Sequence, residues 1–340
     1  MTDLIAYISC AEDRRIDVLA VDPVGMTLRK QAEVAVPGPP AKVMSMAMAM
    51  SPDRRVLTTA VRNPPYPADS FAIDPITGAL THLGTGLLPD ALAYISSVAD
   101  GRHLLGASYA ASLVCSLPII DGVVQPATMV LPTPEKAHCV ITDPSGRFAY
   151  VPCLGGNVIL RFGLDPQTGA LTALESVPVH PGAGPRHLRF APHAPFAYCV
   201  NELDATIDVY AYTAGTGALT HLQTVHQLAA GTTGAIAAAD IHLTPDGRFL
   251  YASERLTNVL TIWAVDAATG HLAALGSVPC EAGPRGFAID PSGRVLLCAG
   301  QSSHHVALFA INPTTGALRQ TARIAVGRNP NWIEFFAPLG

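Results

Sequence analysis

Two short turn sequences recur along this chain, in phase with one another. The first is SPDRR from Ser51, VADGR from Val98, DPSGR from Asp143, TPDGR from Thr244 and DPSGR from Asp290, with a relative around Pro192. Counted on the second residue of each turn, the positions are 52, 99, 144, 192, 245 and 291, in steps of 47, 45, 48, 53 and 46 residues. The second sequence is DPITGAL from Asp74, DPQTGAL from Asp165, AGTGAL from Ala214, AATGHL from Ala267 and NPTTGAL from Asn312, with weak copies at DPVGM from Asp22 and at Asp121-Gly122. Between residues 184 and 225 the two markers frame alternating apolar runs at Arg186–Phe190, Phe196–Val200, Thr206–Tyr212 and Leu219–Val225, which read as four antiparallel strands. Four short strands in about 45 residues make one β-propeller blade.

There are seven copies of the second marker and six of the first. The C-terminal NPNWIEFF has the pattern of an inner strand that runs out of chain, and the N-terminal LIAYISC, RIDVLAVDP and MTLRKQAEV supply three outer strands with no inner one. Joining them closes a seven-bladed ring with no open sheet edge at the seam. An open solenoid would need polar caps at both ends, and the sequence has none. The expectation is an all-β, seven-bladed propeller with four antiparallel strands per blade, a single domain over residues 1–340.

Composition narrows the function classes. Hydrophobic residues make up 49% of the chain and charged residues 14%, enough to bury a large core, and no charge run or low-complexity linker marks a boundary. Net charge is −5 with scattered basic residues, so nucleic acid is not an expected partner. MTDLIAYISCAEDRR lacks the basic flank and sustained apolar run of a signal peptide. The uncharged stretch from His103 to Ile120 carries Ser, Tyr and Pro and fits the second and third strands of a blade, so no membrane span is expected. Seven cysteines without CxxC spacing, several in strands, read as reduced core thiols and a cytoplasmic protein.

In a blade, the start of the first strand and the end of the second lie at the same face of the disc. Residues at fixed offsets from the first marker therefore form rings around one mouth of the central channel. Six residues before it stand Met46, His138, Arg186, Ala239 and Arg285, with Tyr94 and Trp332 near that position in their blades. Ten residues after it stand Arg62, Tyr109, Leu154, Glu202, Arg255 and Gln301. Four arginines against one glutamate leave positive charge for a ligand to satisfy, beside a histidine. This points to an anion site, although any single Arg–Glu pair there could serve only to pin two blades together.

Other candidates carry less. Adjacent residues on a strand point to opposite faces, so His304 and His305 are not expected to hold one ion, and His187 is expected to pack between blades. His242 and Asp240 alternate with Ile241 and can face one wall, but no trio with metal-site character accompanies them. No GxSxG elbow, phosphate-cradling loop or dinucleotide fingerprint is present, and no cofactor is expected.

The segments GAGPRHLRFAP, AYCVNELDATIDVY, AADIHLTPDGRFLYASERL, PRGFAIDPSGR and AGQSSHHVALF closely resemble the bacterial propeller-type 6-phosphogluconolactonases. They are also similar to the fungal carboxymuconate-lactonising enzymes of the same superfamily. The likeness covers essentially the whole chain and is strongest from Lys136 onward. It implies a His, Arg, Glu, Arg functional set on His138, Arg186, Glu202 and Arg285. Ser302 stands where the resemblance leads one to expect a lysine, and the segment around Arg62 is Pro-rich and less similar.

The resemblance implies a lactonase acting on 6-phosphogluconolactone or a related aldonolactone, an anionic small molecule, with no obligate protein partner. Arg186 and Arg285 would stabilise the oxyanion, and Arg62 and Arg255 would clamp the phosphate or carboxylate tail, with Tyr109, Gln301 and Trp332 lining the site. His138 is expected to be the general base, because its ordinary pKa is close to neutrality, and Glu202 to orient it or stand in for it. A cycloisomerase would use the same arginines, and only the product mass separates it, since hydrolysis adds water. A scaffold of the WD type would bind no small anion at all.

Overall fold

In the computed structural model, which describes residues 3–98, 100–229, 232 and 234–339, seven antiparallel sheets form one closed ring. The unit read from residues 184 to 225 is the fourth blade, with strands Pro185–Phe190, Phe196–Asn201, Thr206–Thr213 and Ala218–His226. Each bound falls within one residue of the sequence expectation. The stretch from His103 to Ile120 is two strands of the second blade, His103–Ser108 and Leu113–Ile120, buried as expected. The outer strand of that blade is broken into Val123–Val124 and Met129–Pro132.

The seam closes as the strand count requires. Pro330–Phe336 pairs antiparallel with Leu4–Cys10, which pairs with Arg15–Asp22 and that with Thr27–Ala35. The C-terminal strand is therefore the innermost strand of the N-terminal blade, and it lies against the inner strands of both neighbouring blades.

The repeated TGAL turn does more than reverse the chain. Its glycine has a positive φ, +67° at Gly217 and +71° at Gly316, a conformation that costs glycine nothing. A Cβ on Gly217 would lie 2.6 Å from the Phe148 ring of the preceding blade, and one on Gly316 would lie 2.4 Å from Phe249. With that space open, a tyrosine of the preceding blade donates to the glycine carbonyl: Tyr7 to Gly78 at 2.7 Å, Tyr150 to Gly217 at 2.7 Å, Tyr198 to Gly270 at 3.0 Å and Tyr251 to Gly316 at 2.8 Å. Each such buried bond is worth about 0.5–1.5 kcal/mol, and its repetition fixes the angle between blades. Apolar side chains fill the gaps between adjacent sheets, as where Tyr150, Leu188 and Tyr212 pack together. The channel is thereby left for polar groups.

Candidate active site at one mouth of the channel

The inner strands are irregular where they enter the channel. Pairing slips by one residue between Leu92 and Tyr94, Pro185 and His187, and Pro284 and Gly286, and across Pro330 to Trp332 in the seam blade. The unpaired residues are Ala93, Arg186, Arg285 and Asn331. A bulge bends its strand and re-aims the extra side chain, here into the channel. Two bulges share one construction. Gly184 and Gly283, both at positive φ, precede Pro185 and Pro284, and their N–H groups donate to Asn157 Oδ1 at 3.2 Å and Asn258 Oδ1 at 2.7 Å of the preceding blade. In the seam blade Asn329, also at positive φ, donates to His304 Nδ1 at 3.2 Å ahead of Pro330. The repeated Gly-Pro-Arg was the sequence signal for these bulges.

Two ring positions lie one residue from where Tyr94 and Trp332 stand, and in the second blade the offset of six from the marker itself falls on Ala93. In the second blade the ring residue is Ala93 and not Tyr94, and in the seam blade it is Asn331 and not Trp332. Tyr94 and Trp332 come one residue later and meet edge to face at 4.9 Å. The resulting pocket is lined by Ser45, Ala93, His138, Arg186, His187, Asp240, Arg285, Asn331 and Trp332. His187 thus lines the site as well as reaching the next blade.

The arginines divide into two kinds. Arg186 Nε donates to Glu202 Oε2 at 2.7 Å and Arg255 Nη2 lies 3.0 Å from Glu202 Oε1, so the carboxylate is engaged on both oxygens. Arg255 also donates to the Ala237 carbonyl at 3.0 Å. Arg285, only 9% exposed, makes no hydrogen bond or ion pair among the described residues. Arg62, equally buried, reaches with its side chain only Ser45 Oγ at 3.4 Å among the described residues, and its Nε has no partner among them.

The titration behaviour follows. Burial works to raise the Glu202 carboxyl, but Arg186 and Arg255 outweigh it and hold the group below its ordinary value. Burial, reinforced by Arg186, Arg255 and Arg62, drives the Arg285 pKa well down, as for a cation without a counter-ion. Burial and then Arg186, His187, Arg285 and Arg62 hold His138 well below its usual range, so its imidazole is neutral. His138 Nδ1 is buried without a partner among the described residues. Its ring meets Tyr109 edge to face at 5.8 Å and His187 at 5.2 Å.

Glu202 therefore contacts two arginines where an orienting contact to His138 was expected. The second ring, Arg62, Tyr109, Glu202, Arg255 and Gln301, stands outside the pocket lining, and Gln301 donates to the Met44 carbonyl at 3.3 Å. Sequence reasoning missed Ser45, Asn331, Lys136 and the channel-facing role of His187, whereas Asp240, expected to share one wall with His242, lines the pocket and lies 3.1 Å from His242 Nε2. The ammonium of Lys136 lies 5.8 Å from the Tyr109 ring centroid, in a residue at φ +63°. Spacing alone could not have found Lys136, because it stands two residues outside the ring position.

Comparison with known proteins agrees with this architecture. The family described as "Lactonase, 7-bladed beta-propeller" matches residues 5–335. A 6-phosphogluconolactonase of Pectobacterium carotovorum is 38% identical over 98% of both chains, and one of Serratia proteamaculans is 38% identical over 98% of this chain and 99% of its own. Among solved structures, a periplasmic gluconolactonase of Pseudomonas aeruginosa superposes with a TM-score of 0.91 at 29% identity, covering 99% of each chain. The chain belongs to the seven-bladed β-propeller lactonase family and is a lactone-hydrolysing enzyme.

Proposed function

We propose that this lactonase opens 6-phosphogluconolactone, or a closely related anionic aldonolactone, to the free sugar acid in the cytoplasm. The observation that carries the reading is the split among the arginines. Two buried guanidinium groups, Arg62 and Arg285, lack a carboxylate partner among the described residues and stand beside a neutral histidine. Leaving such cations unpaired is costly in an empty site and favourable once an anion arrives. The names of the relatives support the substrate class. All seven cysteines are free thiols, six of them buried, which supports a reducing compartment.

In this mechanism the lactone carbonyl lies toward Arg186 and Arg285 and the phosphate toward Arg62, with Lys136 at the rim. Water attacks the carbonyl carbon while His138 takes one of its protons, and the C=O electron pair moves onto oxygen. Arg285 and Arg186 donate to that oxyanion, which is where preorganised charge lowers the barrier most. When the carbonyl re-forms, the ring C–O bond breaks and the leaving oxygen takes the proton from His138, giving a hydroxyl and a carboxylic acid. Atoms balance with water alone. The substrate's charge also offsets the arginines around His138 and raises its pKa, so the base strengthens when the substrate is bound. Arg255 changes role from the sequence expectation: it holds Glu202, and through it Arg186.

The test is a lactone panel with 6-phosphogluconolactone and unphosphorylated gluconolactone, followed quickly and corrected for spontaneous opening. Enzymatic addition of one water, fastest on the phosphorylated lactone, is expected. A preference for the unphosphorylated lactone would favour a substrate like the one in the name of the Pseudomonas neighbour. An isomer without added water would overturn hydrolysis.

A further inference from the structure

Arg186 and His187 are consecutive on a strand, yet both line the pocket, because the bulge between Pro185 and His187 suspends the alternation of faces. Their contact has a particular geometry. Arg186 Nη1 lies 3.0 Å from His187 Nε2 and 3.3 Å from Nδ1. An atom nearly equidistant from both ring nitrogens sits over the face of the imidazole, since in the ring plane it would run into Cε1. The guanidinium therefore rests on the ring, as arginine does on aromatic faces.

The ring itself is fixed from the neighbouring blade. His187 Nδ1 lies 2.8 Å from Asp240 Oδ1. Asp240 is 6% exposed, and its carboxylate accepts from the Ile241 N–H at 3.0 Å and the Phe287 N–H at 3.4 Å, with His242 Nε2 at 3.1 Å and Arg189 Nη2 at 4.0 Å. The carboxylate so held is tied to three blades. Tyr94 meets the His187 ring edge to face at 5.2 Å. Behind this assembly, toward the opposite mouth, lies a cavity of about 500 Å³ that Asp240, Tyr94 and Trp332 also line. The His187–Asp240 pair thus forms part of the wall between that cavity and the lactone pocket.

We propose that His187 and Asp240 are positioning residues for the reaction: Asp240 sets the plane of the His187 ring, and the ring face carries the Arg186 guanidinium and aims it at the developing oxyanion. The platform works only with a neutral ring, because an imidazolium beneath a guanidinium would repel it. Burial and the neighbouring Arg186 hold the His187 pKa down at about 3. This inference rests on the reading of Arg186 as an oxyanion donor.

The test compares Arg186→Ala, His187→Ala, His187→Phe, Asp240→Asn and the Arg186→Ala/His187→Ala double variant on 6-phosphogluconolactone. Misaiming a donor costs up to about 100-fold, so His187→Ala is expected to lower kcat by about 10- to 100-fold while KM stays within about 3-fold. His187→Phe keeps a flat uncharged face and should recover most of that loss. Asp240→Asn should lie between, and the double variant should be no slower than Arg186→Ala alone. Multiplying losses in the double variant, a change confined to KM, or no rescue by phenylalanine would overturn the positioning role. An Arg186→Ala enzyme with wild-type kcat would instead sink the oxyanion reading beneath it. Histidine ¹⁵N NMR of the ligand-free wild type needs no activity and no folded variant. It should show His187 neutral with its proton on Nδ1 from pH 5 to 8, and an imidazolium signal in that range would overturn the proposal.

Discussion

Arg186 Nε lies 2.7 Å from Glu202 Oε2, and that contact removes Glu202 from the role of orienting His138. With its second oxygen on Arg255, the carboxylate serves the arginines, and the histidine stands alone among cations and rings.

Arg285→Ala should separate binding from folding. The residue has no partner among the described residues, so its loss should leave the melting temperature unchanged or raised. Affinity for a phosphorylated or carboxylated ligand should fall by about 2–5 kcal/mol. Arg255→Ala should do the reverse in the melt, because it strips a partner from the mostly buried Glu202. Calorimetric titration with 6-phosphogluconate and thermal melts of both variants check this, and a destabilised Arg285→Ala with unchanged affinity would show a structural residue.

His138 as base predicts a displaced pH profile. The acid limb of kcat/KM reports the free enzyme, where burial and the arginines hold His138 down, so that limb should lie below the usual histidine range. The limb of kcat reports the complex, where the substrate anion raises it, and should lie higher. Both should vanish in His138→Ala and persist at lower rate in Glu202→Gln. A limb that survives His138→Ala and disappears with Glu202→Gln would make Glu202 the base.

Stability should also depend on pH through His187. Its folded pKa, about 3, lies below the unfolded value of about 6.5. Its contribution is therefore fully present above about pH 6.5 and is lost as pH falls toward 3, with a slope of up to about 1.4 kcal/mol per pH unit for each such group. Urea midpoints from pH 7 to 4 should fall, and His187→Phe should flatten that slope by about one proton. An equal slope in the variant would mean that His187 titrates normally.

A chain ending before Asn329 loses the inner strand of the seam blade. The edge of Leu4–Cys10 is then bare, and the ring opens. Aggregation or loss of a cooperative melt is expected, and a truncated protein that melts like the full chain would contradict the closure.

The strands and the seam were legible in the sequence because two turn markers fix the phase of every blade. The ring positions were nearly legible, since a bulge at the same place in several blades leaves the offset from the marker constant. The offset itself gives Ala93 in the second blade, one residue before Tyr94; only the seam blade, which has no copy of the marker, left the position one residue off, at Trp332 in place of Asn331. The same bulges explain why His187 was assigned away from the channel: period-two alternation holds only in a regular strand. The partner choice of Glu202 could not be read at all. Offsets along a blade give depth in the channel, whereas pairing depends on how far each side chain turns around it.

The most direct test of the account is a crystal structure with the stable product 6-phosphogluconate. The sugar acid is expected at the bulge-lined mouth, with its carboxylate on Arg186 and Arg285 beside His138 and its phosphate on Arg62. Product bound instead in the 500 Å³ cavity at the opposite mouth, with Arg62 and Arg285 still unpaired, would contradict it.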